Sequence, residues 1–432
     1  MKSGHVADRP VGLLGRPDFR RMLLATGLSS LGDELAIIAL TIRVFDLTRS
    51  GPIVSVLLVV TLLPLVLAAP VAGLLVDRHG PKRVLVLASL VQAGLALALA
   101  FANAVPVIVV LSFALGTGFA VAQPALFALV PALVPRERLT AANGYLESSR
   151  YLGAVMGPLL AGLLASAIGA GSALAIDAVT FLVIAAAAAR LRVARSSEVE
   201  ADGGGSERAR EGISFIARDR LLLLTLVSVG GLMLFAATDN VAEVFFAKDT
   251  LGAGDAGFGA LVASWMAGMV LGALIVAPRI GPGRLAVGAL AAGVGSGVAV
   301  ALTGLSNDIV IACAFFALGG VGNGVLSVSA RSLIHHRVPE RLRGRVFAAF
   351  SAVVTGTQLS ATASGGLLVA MIGARGTLVL GGVGGALVAL GGLVWLASLA
   401  PTTRAVDVVQ LPEQGEVVHL PEGPDVVRAT EG

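Results

Sequence analysis

Residues 73–85 read GLLVDRHGPKRVL. Asp77, Arg78, His79, Lys82 and Arg83 crowd into this stretch, with Gly73 before them and Gly80 among them, while long apolar runs lie on either side. Charge concentrated between two greasy runs is the pattern of a short loop at a membrane surface. Glycine there permits close approach and a tight reversal, and each flanking run is long enough to cross a hydrocarbon core of about 30 Å as a helix.

The whole chain follows the same logic. Of its 432 residues 56% are hydrophobic and 13% charged, with a mean hydropathy of +0.90. A soluble domain of this length needs more polar residues to cover its surface, so lipid is the solvent for most of the chain. Long continuous runs rather than short alternating ones select helices over a membrane barrel. One cysteine, Cys313, excludes an internal disulfide and a cysteine-based metal site. The pI near 9.8 comes from arginines in short loops, not from a soluble basic patch, so no nucleic-acid partner is expected. The polar first fifteen residues give no sign of a cleavable leader.

Twelve runs qualify as spans: 21–44, 52–76, 84–102, 105–129, 142–167, 172–191, 221–246, 257–277, 285–304, 307–330, 345–371 and 376–399. With the amino end inside, the inner segments hold Arg16, Arg20, Arg21, Arg78, Lys82, Arg83, Arg136, Arg138, Arg190, Arg192, Arg279, Arg284, Arg337, Arg341, Arg343 and Arg345. The outer ones hold only Arg43, Arg49, Lys248 and Arg375. This bias places both termini in the cytoplasm. The expected organisation is a cytoplasmic segment 1–20, a six-helix bundle 21–192, a cytoplasmic linker 193–219 containing EVEADGGGSERAREG, a second six-helix bundle 220–400 and a disordered cytoplasmic tail 401–432. A repeat ties the bundles together. VPRERL from Val134 returns as VPERLRG from Val338, and Gly162-Leu-Leu as Gly366-Leu-Leu, both at an offset of 204 residues.

Gly73, Asp77, Arg78, Gly80, Lys82 and Arg83 in the opening stretch resemble the signature loop between spans two and three of the major facilitator superfamily; Pro81 replaces a residue usually basic there. LGDELAIIALTIRVFDLTRSG, ALVPRERLTAANGYLES and VPERLRGRVF are similar to the branch containing the enterobactin exporter and macrolide efflux pumps, and GAVMGPLLAG resembles a fifth-span motif of antiporters. The corresponding second-half loop, APRIGPGRLAVG, is degenerate. The resemblance implies an all-α integral membrane fold of two pseudo-symmetric six-helix bundles. It also implies that Asp77 faces the start of span eleven near Arg343 to Arg345, where a helix amino end favours an anion. Such contacts latch the halves on the cytoplasmic side and favour the outward-open state; the alternative is that Arg78, Lys82 and Arg83 only enforce topology.

Ionisable groups at membrane depth cost roughly 2.5–3.5 kcal/mol each on insertion scales and so mark function. Asp33 lies about 18 Å beyond Arg21 at 1.5 Å per residue, a little past the midplane, and Glu34 follows about 100° around the helix. A carboxyl desolvated there is a credible proton carrier or cation ligand; the alternative is a fixed bond to a neighbouring helix. Arg150 is either an i,i+3 partner of Glu147 or a counter-charge in a cavity. Span four carries Gln123 where many proton antiporters of the resembled superfamily carry arginine. Asp177, Asp239, Asn240 and Glu243 lie toward the outer face, forming either an acidic vestibule for cations or an exposed mouth. Asn323 is a cavity hydrogen-bonder or an interhelical contact.

In the packing motif that ends at Gly162, Gly153 and Gly157 stand four apart and bare one side of the fifth span while Pro158 frees a carbonyl, for packing against the other half or for a generic small-residue interface. His335 and His336 are adjacent and lack companion ligands, so they read as part of a basic loop rather than a metal site. With two tryptophans and two tyrosines, an aromatic cage for cationic drugs is not indicated; Phe113, Phe119, Phe235, Phe315, Phe316 and Trp265 line a cavity or pack. No phosphate-binding loop occurs, so energy comes from a gradient rather than from ATP bound by this chain. The resemblance implies a monomeric exporter in the bacterial plasma membrane, exchanging a small organic molecule for protons, with no cofactor and no enzymatic activity. An importer or facilitator on the same fold and a membrane-embedded enzyme are the alternatives, the latter lacking any nucleophile–base or metal constellation.

Overall fold

The computed structural model describes residues 13–135, 138–191 and 213–403. Arg136, Arg192, the EVEADGGGSERAREG linker, the first twelve residues and the tail beyond 403 lie outside them. Among the described residues every regular element is a helix. In the first half these are α1 (Pro17–Thr48), α2 (Gly51–Leu67), α3 (Ala69–His79), α4 (Pro81–Phe101), α5 (Val105–Leu133), α6 (Leu139–Ile168) and α7 (Ala170–Ala189). The second half has α8 (Arg220–Ala236), α9 (Asp239–Phe245), α10 (Gly254–Leu271), α11 (Leu285–Leu305), α12 (Ile309–Arg337) and α13 (Glu340–Thr403).

Local chemistry sets the boundaries. Proline stands in the first turn of α1, α2, α4 and α5, where its missing N–H costs nothing. Asp219 caps α8 by accepting from the Leu221 and Leu222 amides at 2.9 and 3.1 Å. Asp308 caps α12 the same way through Val310 and Ile311. Gly80 (φ 83°, ψ 142°) turns α3 into α4 and Gly169 (φ 86°, ψ 153°) turns α6 into α7, a backbone setting that side-chain-bearing residues resist.

Ten helices are long and apolar enough to cross a bilayer, and α2 with α3 makes an eleventh if the pair, bent by 56°, is one span. The difference from twelve sequence runs lies in α13, which carries both runs 345–371 and 376–399 as one continuous element. At about 1.5 Å per residue its 64 residues cover three times the hydrocarbon thickness. The helix breaks at Gly373, whose φ of 74° and ψ of 169° repeat the setting of Gly80 and Gly169.

The 204-residue repeat extends far beyond the two motifs that disclose it. A Cβ on Gly116 would meet the Thr61 carbonyl, and one on Gly320 the Trp265 carbonyl, at the same offset. Gly118 against Gln92 is matched by Gly322 against Ser296. At the ends of α4 and α11, guanidinium groups bind equivalent acceptors: Arg43 donates to the Ala100 carbonyl and to Asn103, and Arg375 to the Gly304 carbonyl and to Asn307, each at 2.9 Å. The two arginines themselves are not equivalent. Gly171 is the counterpart of Arg375, and Arg43 from α1 fills the space beside it, with Nη1 3.8 Å from where a Cβ would stand.

The halves meet along α6 with α10 and α2 with α13. These seams are also related by the repeat: Gly162 abuts the Asp255 carbonyl and Gly259, while Gly366 abuts the Gly51 carbonyl and Ser55, whose hydroxyl accepts from the Gly366 amide at 2.8 Å. The seams lie at one end of the molecule. There a single core runs through both halves, including Phe45, Leu57, Phe245, Phe246, Phe258 and Leu378. At the other end each half has a core of its own, around Phe19, Met22 and Leu129 in the first and Leu222, Leu333 and Val346 in the second. The molecule is therefore closed at one end and parted at the other.

An ionic lattice completes the closed end. Arg49 pairs with Asp249 at 2.7 Å, and Lys248 binds Asp46 at 2.7 Å as well as Asp255. The rings of Phe45 and Phe245 stack edge to face at 4.8 Å beneath these charges, with Arg49 and Lys248 lying over Phe45.

Candidate functional site

Between the halves lies a cavity of two connected chambers, about 390 and 450 Å³. The first spans both halves and is lined by Asp33, Glu34, Gln92 and Asp177 from one and by Asn240, Glu243 and Gln358 from the other. The second belongs to the second half, with Asp239, Asn323, Trp265, Met266, Phe350 and Arg331 in its wall. Asn240, Glu243, Val262, Met266 and Gln358 border both.

The first-half carboxylates converge by means of glycines. Gly32 has no side chain where Asp177 Oδ1 and Thr180 Oγ1 press against α1. Gly157 on α6 leaves room for Cβ of Glu34. Although Asp33 and Glu34 are successive on α1, both are half-buried and both line the first chamber. Neither takes a hydrogen bond or forms an ion pair among the described residues. Asp177 is fully buried; its Oδ1 accepts from Thr180 Oγ1 at 3.2 Å and its Oδ2 has no partner. Asp33 also faces a narrow side pocket shared with Gln92, Gln123 and Arg150. Arg150 reaches Glu147 at 3.4 Å and so occupies both positions weighed for it, ion-pair partner and pocket wall. Its guanidinium also lies over Phe127 at 5.9 Å.

Asp239 and Glu243 are one helical turn apart on α9, 4% and 8% exposed. Like Asp177 they are not at an exposed mouth; they are interior groups, because α9 restarts after the break at Ala237 and Thr238 and faces inward. Asn323, 9% exposed, lines the second chamber from α12. Gln92 and Gln358 were not singled out by sequence reasoning. The signal was present: each is an uncharged amide within an apolar span, and Gln92 is 1% exposed.

The motif GAVMGPLLAG divides its work. Gly153 and Gly157 pack against α1 within the same half, at Ser30, Leu31 and Glu34, while Gly162 and the carbonyl of Pro158 meet Gly259 of α10 in the other half. Among the described residues the Gly73–Arg83 loop is tied to its own half, Lys82 Nζ donating to the Leu191 carbonyl at 2.7 Å. Asp77, Arg78 and Arg83 are exposed, and Asp77 has no ion pair among the described residues. Arg343 instead donates to the His335 carbonyl at 3.3 Å. His335 and His336 are exposed, His335 with its ring 5.0 Å from Phe347. Phe316 is buried and stacks on Trp265 at 4.8 Å; Phe119 lines the first chamber, and Phe113 is exposed on the outside.

Comparison with known proteins accords with this geometry. Residues 22–356 match the family profile described as Major Facilitator Superfamily. An uncharacterized MFS-type transporter, YfiS of Bacillus subtilis, is 26% identical over 364 residues, which is 82% of this chain and 87% of that protein. Enterobactin exporter EntS of Shigella boydii is 27% identical over 368 residues, 81% and 85% of the two chains. Macrolide efflux protein A of Streptococcus pyogenes is 30% identical over 195 residues, 44% of this chain and 48% of its own length. Among solved structures, the nucleoside transporter NupG superimposes with a TM-score of 0.72 at 10% identity, over 88% of this chain and 99% of that one. At that identity the likeness speaks for the fold alone.

Proposed function

From the premise that this chain belongs to the Major Facilitator Superfamily, a family of multi-pass membrane transporters rather than enzymes, we propose that it exports a small organic molecule in exchange for protons. The observation that carries this reading is the placement of Asp33, Glu34 and Asp177, with no ion pair among the described residues, in a cavity between two bundles sealed at one end only. A group that must be charged at one step and neutral at another is best left without a permanent partner.

The arrangement of basic residues supports twelve spans with both termini in the cytoplasm. The sealed end, with Arg49 and Lys248, is then the outer one, and the parted end opens to the cytoplasm. In this state protons leave the first-half carboxylates for the cytoplasm and substrate enters. Return of the halves seals the inner end, where Asp77 meets the start of α13, and opens the lattice of Lys248 and Arg49. The free Asp77 in the inward-open molecule fits a latch that is released at this stage. Kinship with efflux proteins supports the outward direction.

Susceptibility of a deletion strain to a broad set of toxic compounds identifies the substrate, and its accumulation in expressing cells then tests the coupling. An uncoupler is expected to raise accumulation to the level of the deletion strain. Accumulation that the uncoupler leaves unchanged overturns proton exchange and leaves a facilitator on the same fold.

A further inference from the structure

We propose that Asp239 and Glu243 form the seat of a positively charged group on the substrate, so that the transported molecule is an organic cation whose apolar body rests on Trp265, Met266 and Phe350. Glu243 is 8% exposed, borders both chambers, and takes no hydrogen bond and no cation from any described residue. Asp239 stands one turn away on the same face. An isolated buried carboxylate is costly unless it is neutralised by a proton or a cation. The single basic residue in the wall of the second chamber, Arg331, is itself exposed and without an ion pair among the described residues.

The rest of the wall suits an amphiphile with a cationic head. Asn240, Asn323 and Gln358 offer hydrogen bonds beside the carboxylates. Trp265 presents an aromatic face for a cation, held at a fixed tilt by Phe316, 4.8 Å away. One ring with two carboxylates replaces the aromatic cage that the composition argues against. The chambers, about 450 and 390 Å³, lie in the range of roughly 300–1,000 Å³ that holds drug-sized ligands.

The pair is also a departure from the internal symmetry. At the offset of 204 residues Asp239 corresponds to Leu35 and Glu243 to Ala39, which are core residues 1% and 0% exposed. Packing inherited by both halves therefore does not account for carboxylates at these positions. The first half bears its own acids at Asp33 and Glu34, which line the first chamber. Two acidic pairs in two bundles allow one to hold protons and the other the substrate.

This assignment rests on reading the cavity as the transport path, but its test needs neither a gradient nor a direction. Purified full-length protein is titrated in detergent with tetraphenylphosphonium and with tetraphenylborate, which share a shape and differ in the sign of charge, reading displacement of radiolabelled tetraphenylphosphonium and, in Trp395→Phe, the fluorescence of Trp265. Saturable binding of the cation, with binding of the anion weaker by about tenfold or more, is expected. Glu243→Gln and Asp239→Asn are each expected to weaken cation binding roughly tenfold or more, while Glu243→Asp retains most of it. Preference of the wild type for the anion, absence of cation binding, or unchanged cation affinity in monodisperse Glu243→Gln overturns the proposal. The first two outcomes are read on the wild type and do not depend on how a variant folds. Failure here leaves proton-driven export standing, and failure of the uncoupler experiment leaves the cation site standing.

Discussion

Gly157 and Glu34 make a pair in which neither residue explains itself. The glycine leaves a gap on α6, and the Cβ of Glu34 on α1 lies against the place a methyl group would take. Gly157→Ala is expected to push Glu34 off its position and to destabilise the protein by about 1–3 kcal/mol, measured as a lowered unfolding temperature of the purified protein. Asp33→Asn and Glu34→Gln, which keep the shape and remove the titration, are expected to leave folding intact and to lower resistance at least about tenfold, the equivalent of 1.4 kcal/mol. Resistance unchanged in both removes the pair from the mechanism. The sequence made these carboxylates legible because an ionisable group in an apolar run is rare and costly. Their convergence with Asp177 was not legible, since nothing in the chain signals that Gly32 is the notch which admits Asp177 and Thr180. Likewise the bare side of GAVMGPLLAG was visible, but not that Gly153 and Gly157 serve α1 while Gly162 serves α10. A run of small residues gives a helix its close approach without naming the partner.

Between elements, the ionic lattice at the sealed end is a set of weak contacts in parallel. Arg49 and Asp249 are 59% and 47% exposed, and pairs of that kind contribute about 0.2–1 kcal/mol. Lys248, with a side chain 10% exposed, is the inner member and holds α1 to the start of α10 through Asp46 and Asp255. Lys248→Ala leaves two acids facing one another and is expected to populate a state parted at the end now sealed. Spin labels on α1 and α10 at that end are expected to report a longer distance, and an unchanged distribution counts against the lattice as a gate. The sealing glycines make a stricter test. Gly259→Ala sets a methyl group against the Pro158 carbonyl, and is expected to lower transport and to lengthen the same spin-label distance, because the seam has no room for it. Helix ends were read from the sequence to within a few residues wherever a charged or proline-bearing loop intervened. The reversal at Gly373 falls between runs 345–371 and 376–399 as read, whereas the breaks at Ala68 and at Ala237–Thr238 lie inside runs read as continuous.

Across the whole molecule, the repeat glimpsed in two motifs governs the arrangement of both halves. It sets the backbone contacts of Gly116 and Gly320 and the crossed seams of Gly162 and Gly366. What escapes the repeat is the chemistry: Asp33 and Glu34 in one bundle, Asp239 and Glu243 in the other. The frame was legible because membrane solvent imposes a plain grammar of lengths and charges. The site was legible only as a set of candidates, since depth along a helix can be counted and orientation around a kinked one cannot.

Arg43 and Arg375 illustrate how complete each half is. One comes from the first helix of its bundle and the other from just beyond Gly373 in the last, yet each plugs the far end of the third helix of its own bundle, asking nothing of its neighbour. A chain severed in the linker near residue 200 should therefore yield two fragments that are each internally stitched. Co-expressed, they are expected to find one another through the glycine seams and to confer the resistance of the intact protein, as a growth assay of the paired and single fragments would report.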